Sequence, residues 1–315
     1  MSAAASAAAS AQALDLPPSM RVFQRGWLSS NNILFLGREQ SALVDTGYLS
    51  HAPQTLAMVQ HALHGRALDW IVNTHLHSDH CGGNAILQRE YACRTSIPAP
   101  DADKVRNWDQ EALSFSATAQ QCEPFTFTDT LAPGAVIELG DLAWQVLAAP
   151  GHDPHSLMFF CPQEGILISA DALWQNGFGV IFPELEGESG FSEARATLDL
   201  IASLQPQLVI PGHGAPFEDV PEALARAVSR IEFFMADPQR NAQYALKVLL
   251  KFLLLERQHI ALDEIGELLG SARLFAQANR QFLQLPHEQL TQWVVEQLLR
   301  SGSAKIDGGF LRNVE

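Results

Sequence analysis

The stretch Thr74-His75-Leu76-His77-Ser78-Asp79-His80 constrains this chain more than any other. Four side chains bearing imidazole or carboxylate groups sit at i, i+2, i+4 and i+5, a spacing that suits neither a helix face nor strand alternation. A loop leaving the apolar strand Trp70-Ile71-Val72 can turn all four to one side. Imidazole and carboxylate donors together suit divalent ions such as Zn²⁺, Fe²⁺ or Mn²⁺.

Along the chain, Val22-Phe23, Ile33–Leu36 and Ala42–Val44 alternate with turn residues, as consecutive antiparallel strands do. The spacing predicts an amphipathic helix over Ala52–Leu63, and another opening at Gly82-Gly83-Asn84. Residues 101–122 read as a mixed, mostly helical insertion. Strands are predicted at Ala135–Leu139, Leu142–Ala149, Leu157–Cys161, Ile166–Ser169 and Leu208–Ile210, with a helix over Ser192–Leu204. Strand blocks alternating with helices in two similar halves imply a layered α/β sandwich. Beyond about Pro221 the texture turns helical: Pro221–Met235, Gln243–Arg257, Leu262–Leu269 and His287–Arg300. Two short strand-like pieces around Gly308-Gly309 follow. Helices followed by a β-hairpin resemble a winged-helix module. The expected division is a flexible tail over 1–19, a catalytic domain over 20–220 and a helical, winged-helix-like domain over 221–315.

The 315 residues, 47% of them hydrophobic, are enough to bury a large core. The formal net charge is −15, yet residues 221–315 hold 11 basic and 11 acidic side chains, so the excess acid lies in residues 1–220. Such a domain repels polyanions, which disfavours nucleic acid as a substrate. Cys81, Cys93, Cys122 and Cys161 form no CxxC pair and read as reduced thiols of a cytoplasmic protein. The Ala/Ser run from Met1 to about Leu14 lacks the basic start of a secretory signal, and no stretch is long and apolar enough to span a membrane.

With the intact signature His75-x-His77-x-Asp79-His80, the sequence resembles the metallo-β-lactamase superfamily across about residues 20–220. Pro150-Gly151-His152, Ser169-Ala170-Asp171 and Pro211-Gly212-His213-Gly214 follow in the family's order, each just past a predicted strand. The resemblance implies an αββα sandwich of two mixed sheets. It implies two divalent ions, zinc or else iron or manganese: His75, His77 and His152 on one, Asp79, His80 and His213 on the other, with Asp171 between them. A hydroxide bridging the ions would then attack a carbonyl, with Asp79 as the catalytic proton shuttle. Asp45 reads equally as a carboxylate that orients a ligand and as a turn cap.

Three departures narrow the chemistry the resemblance implies. Gly214-Ala215-Pro216 replaces the Glu-Tyr-Thr expected after the last Gly-His of glyoxalase II. Trp174 stands where quorum lactonases carry Tyr. The zinc β-lactamases usually lack the bridging Asp that this chain has. A hydrolase of small esters or thioesters, in the glyoxalase II-like or general hydrolase branch, is the expectation. Lactonase, phosphodiesterase or endoribonuclease, and a binding or signalling protein with a vestigial metal site are the alternatives. Substrate selection is assigned to the aromatic stretch Trp174–Phe182 and to the insertion around Trp108 and Phe115, implying an apolar acyl or aromatic group. His51, His61, His64, His259 and His287 read as structural or surface residues, His155 as loop packing, and Cys81 as a small filler. The C-terminal helices suit packing or a homodimer contact.

Overall fold

The computed structural model describes residues 16–314. Most of the Ala/Ser tail therefore lies outside the described residues. Strands β1 (Met20–Phe23), β2 (Asn32–Leu36), β3 (Ser41–Val44), β4 (Trp70–Val72), β5 (Arg94–Pro98) and β6 (Asp129–Leu131) form one sheet in that order. The first three pair antiparallel, and β3 through β6 pair parallel. Strands β7 (Val136–Leu139), β8 (Leu142–Ala148), β9 (Leu157–Cys161), β10 (Ile166–Ala170) and β11 (Leu208–Pro211) form the second, in the order β11-β10-β9-β8-β7. Only β10 and β11 pair parallel there.

Strand alternation decides which side chains fill which layer. Phe35, Val44 and Val72 of the first sheet meet Trp144, Phe159 and Ile168 of the second in the central core. On the other face of the first sheet, Leu34, Leu43 and Ile71 pack beneath helices α1 (Ala52–Leu63) and α3 (Asn84–Tyr91) through Val59, Leu63 and Leu87. Met158, Phe160, Leu167 and Val209 of the second sheet are covered in the same way by α7 (Phe191–Leu204) and α8 (Val220–Ala236). The result is the expected αββα sandwich of two mixed sheets. Between α1 and α3 lies one short helix, α2 (Ser78–Cys81); α4 (Ala102–Arg106), α5 (Phe115–Thr118) and α6 (Pro183–Glu186) are also short.

Two strands of the sandwich went unforeseen. β5 is Arg-Thr-Ser-Ile-Pro and carries no apolar alternation, because its buried Ser96 hydroxyl accepts a hydrogen bond from Trp70 Nε1 (2.8 Å). β6 has only three residues. The insertion is helical only in α4 and α5, with turns between them.

The C-terminal part is a helical region with a small sheet: α9 (Gln239–Arg257), α10 (Ile265–Ser271), α11 (Arg273–Ala278) and α12 (His287–Arg300). Strands β12 (His259–Ala261), β13 (Ala304–Asp307) and β14 (Phe310–Asn313) pair in the order β12-β14-β13. The predicted helix Leu262–Leu269 begins later, at Ile265, because His259–Ala261 pairs with β14 instead. Helix α9 also faces the sandwich. Its Phe252 packs edge-on against the fully buried Tyr48 (5.1 Å between centroids). The Tyr48 hydroxyl donates to Glu256 Oε1 (3.0 Å) and accepts from the Gln121 backbone N–H (3.2 Å).

Helix α2 is seated against the backbone of the Tyr48-Leu49 turn at Gly82. A Cβ there would lie 2.4 Å from Leu49 N and 2.7 Å from Ser78 O, and main-chain atoms cannot step aside. Gly82→Ala is therefore expected to cost about 1–3 kcal/mol in urea unfolding. Gly26→Ala, where nothing lies within 4 Å, is expected to stay within about 0.5 kcal/mol of the parent. Equal midpoints for the two variants would contradict this seating.

Candidate metal centre

The loop after β4 supplies His75 and His77, and α2 supplies Asp79 and His80. His152 follows β8, Asp171 follows β10 directly, and His213 lies two residues past β11. Strand ends thus deliver all seven side chains to one spot, and all except the half-buried His77 are buried. His77 Nδ1 lies 3.1 Å from His75 Nε2 and 2.7 Å from His152 Nε2. His213 Nε2 lies 3.0 Å from Asp79 Oδ2, and His80 Nε2 3.9 Å from the same oxygen. Asp171 stands between the two groups, with Oδ2 3.4 Å from His152 Nε2 and Oδ1 3.4 Å from His80 Nε2. The triads His75–His77–His152, His75–His80–Asp171 and Asp79–His80–His213 each bring their donor atoms within 4.8 Å of one another.

Several observations show that this donor set fits cations. His80 Nε2 and His213 Nδ1 are buried without a hydrogen-bond partner. For His80 the lone nitrogen is the one turned toward the two carboxylates, since its Nδ1 donates to Asp45 Oδ2 (2.7 Å). Among the described residues, no Lys or Arg lines the cavity of about 100 Å³ that touches His77, Asp79, His152, Asp171 and His213. Backbone space is also reserved for it. A Cβ on Gly212 would come within 2.1 Å of Asp171 Oδ1, and one on Gly179 within 2.4 Å of His152 Nδ1.

Electrostatics prepare the donors. Burial, helped by neighbouring imidazoles, lowers His77 and His152 to about 4 and His75 well below its usual value, which leaves neutral lone pairs. Burial alone would raise Asp171, but His80 and His213 outweigh it and hold the carboxylate well below its usual range. Burial likewise opposes charge on His80, and Asp171, Asp45 and Asp79 overcome it.

Asp45 serves the orienting role. At φ +56° it sits in the left-handed region and its carboxylate accepts from Thr74 N (2.9 Å), Thr74 Oγ1 (2.7 Å) and His80 Nδ1. His152 is held likewise, its Nδ1 donating to Val180 O (2.6 Å). Such contacts fix tautomer and ring direction.

Two contributors escaped sequence reading. Asn31 donates through Nδ2 to Pro211 O (2.9 Å) and Gly214 O (2.8 Å), and its N–H donates to Gly212 O (2.6 Å). It clamps the loop that presents His213. Trp27 stacks on the His213 ring, 5.6 Å away and 6° from parallel. Its only sequence signal is a large aromatic beside Gly26 in a polar loop.

The expected substrate loops divide. Trp174, Gly179, Val180 and Phe182 line the cavity, whereas Phe178 and Ile181 belong to the core. Trp108 and Phe115 do not reach the cavity. They pack with Phe125 and Leu113 in a small core of their own, and the insertion reaches the cavity through Thr118 and Gln120 instead. Cys81 is buried, donates to Leu76 O and His77 O, and belongs to none of the triads. His155 Nδ1 pairs with Asp101 (2.8 Å) in the loop beyond His152.

A model of the metallo-beta-lactamase superfamily matches residues 25–213. The chain belongs to this superfamily. Among curated relatives, the hydroxyacylglutathione hydrolase of Nitrobacter winogradskyi is 32% identical over 118 residues, 38% of this chain and 39% of that protein. The hydroxyacylglutathione hydrolase of Rhodopseudomonas palustris is 32% identical over 148 residues, 43% of this chain and 51% of that protein. The matched segment thus spans about half the length of these relatives, or less. A metallo-beta-lactamase family protein of Thermus thermophilus shares the fold over 95% of this chain and 99% of its own, at 21% identity and a TM-score of 0.55. TTHA1623, solved in a di-iron-bound form, covers 66% of this chain and 98% of its own at 25% identity, with a TM-score of 0.53.

Replacing Asp45 by Asn keeps the volume but removes the negative charge and one of the two oxygens that accept from Thr74 and His80. Asp45→Asn is expected to weaken zinc binding about 10–100-fold, read by competition with a chromophoric chelator, while circular dichroism stays unchanged. Undiminished affinity would refute the orienting role. The Asp101 hydrogen bond, ahead of opposing burial, raises the His155 pKa. A raised folded pKa gives stability that is full below the unfolded value of about 6.5 and is lost as pH rises through the folded one. Unfolding midpoints between pH 6 and 9 should therefore fall more steeply for the parent than for His155→Gln. Parallel profiles would dismiss the pair as a stabilising contact.

Proposed function

We propose that this chain is a dinuclear metal-dependent hydrolase of small esters or thioesters. The observation that carries the reading is the Asp171 carboxylate, with one oxygen toward His152 and the other toward His80. His75, His77 and His152 hold one divalent ion in this reading, Asp79, His80 and His213 the other, and Asp171 both. Zinc is the first choice, with iron or manganese as substitutes. Ions held there supply Lewis acidity for a carbonyl oxygen and acidify water toward neutral pH.

The chain's own groups do the rest. Asp79 is the catalytic carboxylate: His80 and His213 outweigh its burial and keep it ionised, ready to take a proton on Oδ1 and return it to the leaving group. Asp45, Thr74 and the Val180 carbonyl hold His80 and His152 in register. Trp27, Trp174, Phe182 and Val248 give the cavity aromatic and apolar walls that exclude water and suit an acyl or aryl group.

The hydroxyacylglutathione hydrolases among the relatives support a thioester. Gly214-Ala215-Pro216 after His213 argues for a thiol other than glutathione. The reading divides the chain into a tail over 1–19, a catalytic domain over 20–220 and a helical addition over 221–315. In the addition, helices and the β13–β14 hairpin support a winged-helix-like module. The acidity of residues 1–220 supports a small-molecule substrate over nucleic acid. Cysteines free of disulfides support a cytoplasmic location. Ile306 and Phe310, exposed on the hairpin, suit a homodimer contact. No helix among the described residues is long and apolar enough to cross a membrane.

Elemental analysis of purified protein, paired with a screen of thioesters, esters, lactones and RNA, tests the whole. Parent protein should carry two ions per chain. Asp171→Ala should carry one or none and lose about a hundredfold or more in turnover. Two ions retained by that variant would remove the bridge from the reading.

A further inference from the structure

The cavity above the metal cluster continues outward, and its outer part has its own chemistry. An inner space of about 100 Å³ touches His77, Asp79, His152, Asp171 and His213. An outer space of about 350 Å³ shares Trp27, Trp174, Tyr244, Val248 and Phe252 with it. One groove therefore runs from the cluster along helix α9, with the same apolar walls on both stretches. Trp174 joins the two. Its Nε1 donates to Asp171 Oδ1 (3.2 Å), and its ring meets Trp27 edge-on at 5.5 Å. Trp27 is 57% exposed, and a large aromatic surface left in water beside an active centre marks a contact surface.

Charge singles out the far end. In a chain of net charge −15 the outer space is lined by two charged side chains, both cationic, Arg230 and Lys251. Lys251 is already engaged: its ammonium donates to Ser303 O, Asn313 Oδ1 and Val314 O. Arg230 differs. The half-buried guanidinium lies 4.3 Å over the Tyr244 ring and has no carboxylate within ion-pair distance among the described residues. Nearby arginines are matched, Arg226 with Asp219, Arg240 with Asp237 and Arg195 with Asp199 and Glu232. Lys247 Nζ lies 6.0 Å from the same Tyr244 ring. Burial, then the charge of Arg230, lowers its pKa. Two cations thus crowd one ring, and among the described residues no carboxylate pairs with either. A partly desolvated positive site of this kind favours an anion that completes it.

We propose that the groove binds the apolar segment of a substrate ending in a carboxylate, with Arg230 pairing with that carboxylate while the scissile group faces the metal cluster. A guanidinium fork matches a carboxylate in two parallel hydrogen bonds, which an ammonium cannot do. The substrate class is then an ω-carboxyacyl or carboxyaryl ester or thioester. The proposal rests on the hydrolase reading only for which end of the molecule meets the metals; capture of the anionic tail is separable from turnover.

The test uses binding. Zinc-loaded protein is titrated with hexanoate, octanoate and decanoate and with the matching dicarboxylates, following tryptophan fluorescence, since Trp27 and Trp174 line the groove. In each pair one carboxylate can meet the metals, and only the dicarboxylate offers a second to Arg230. For at least one chain length the dicarboxylate should bind about tenfold tighter or better, with the advantage shrinking as salt rises. Arg230→Gln should bring the ratio close to one while leaving the monocarboxylate affinity in place, and Arg230→Lys should keep part of the advantage. No preference at any length in the parent, or the same preference in Arg230→Gln, overturns the proposal. Protein that binds with this selectivity yet hydrolyses no ester or thioester sinks the hydrolase reading alone.

Discussion

Five imidazoles and two carboxylates packed within a few ångströms of one another, largely out of contact with water, are the constraint on which the rest of the structure depends. Such a cluster pays desolvation for every group in it, and the attraction between imidazole and carboxylate returns only part of that cost. His75, His77 and His152 turn ring nitrogens toward one another at 2.7–3.1 Å, and a cation between them would be met by all three lone pairs. The same constraint explains the placement of residues that touch no metal. Gly179 and Gly212 make room for ring and carboxylate, Asp45 holds His80, and Asn31 ties down the turn that carries His213.

How much of this was legible in the sequence depends on the range of the interaction. The His75–His80 cluster shows itself because its donors are nearly consecutive and break every regular period. His152, Asp171 and His213 could be placed because each follows an apolar strand, and the two-sheet sandwich was readable from the same strands. Asp45 stayed ambiguous because Val-Asp-Thr-Gly serves a turn as well as a ligand. Its partners lie some thirty residues away. Strand β5 was hidden because two of its four buried residues are Thr95 and Ser96, whose hydroxyls accept from Gln88 and Trp70. Trp108 and Phe115 misled for the opposite reason. Aromatics in an insertion resemble a binding loop, but this insertion must bury a core of its own to hold shape.

Helix α9 shows how an element with no visible motif becomes part of a site. One face of it, with Leu246, Leu249, Leu250 and Leu253, fills the core of the C-terminal region. Another, with Tyr244, Val248 and Phe252, walls the cavity over the metal cluster. Period and apolarity forecast the helix, but an apolar face looks the same in sequence whether it meets a core or a substrate.

Tyr48 gives this arrangement a mechanical consequence. Burial, reinforced by Glu256, pushes its pKa up, so the phenol keeps its proton at any physiological pH and goes on donating to Glu256. A single oxygen atom thereby fastens the insertion, through Gln121, and α9, through Glu256, to a turn that begins three residues after Asp45. Tilting α9 would pull on that atom, which belongs to a fully buried side chain. Any molecule that wedges the groove open would therefore have to strain the turn against which α2 is seated at Gly82.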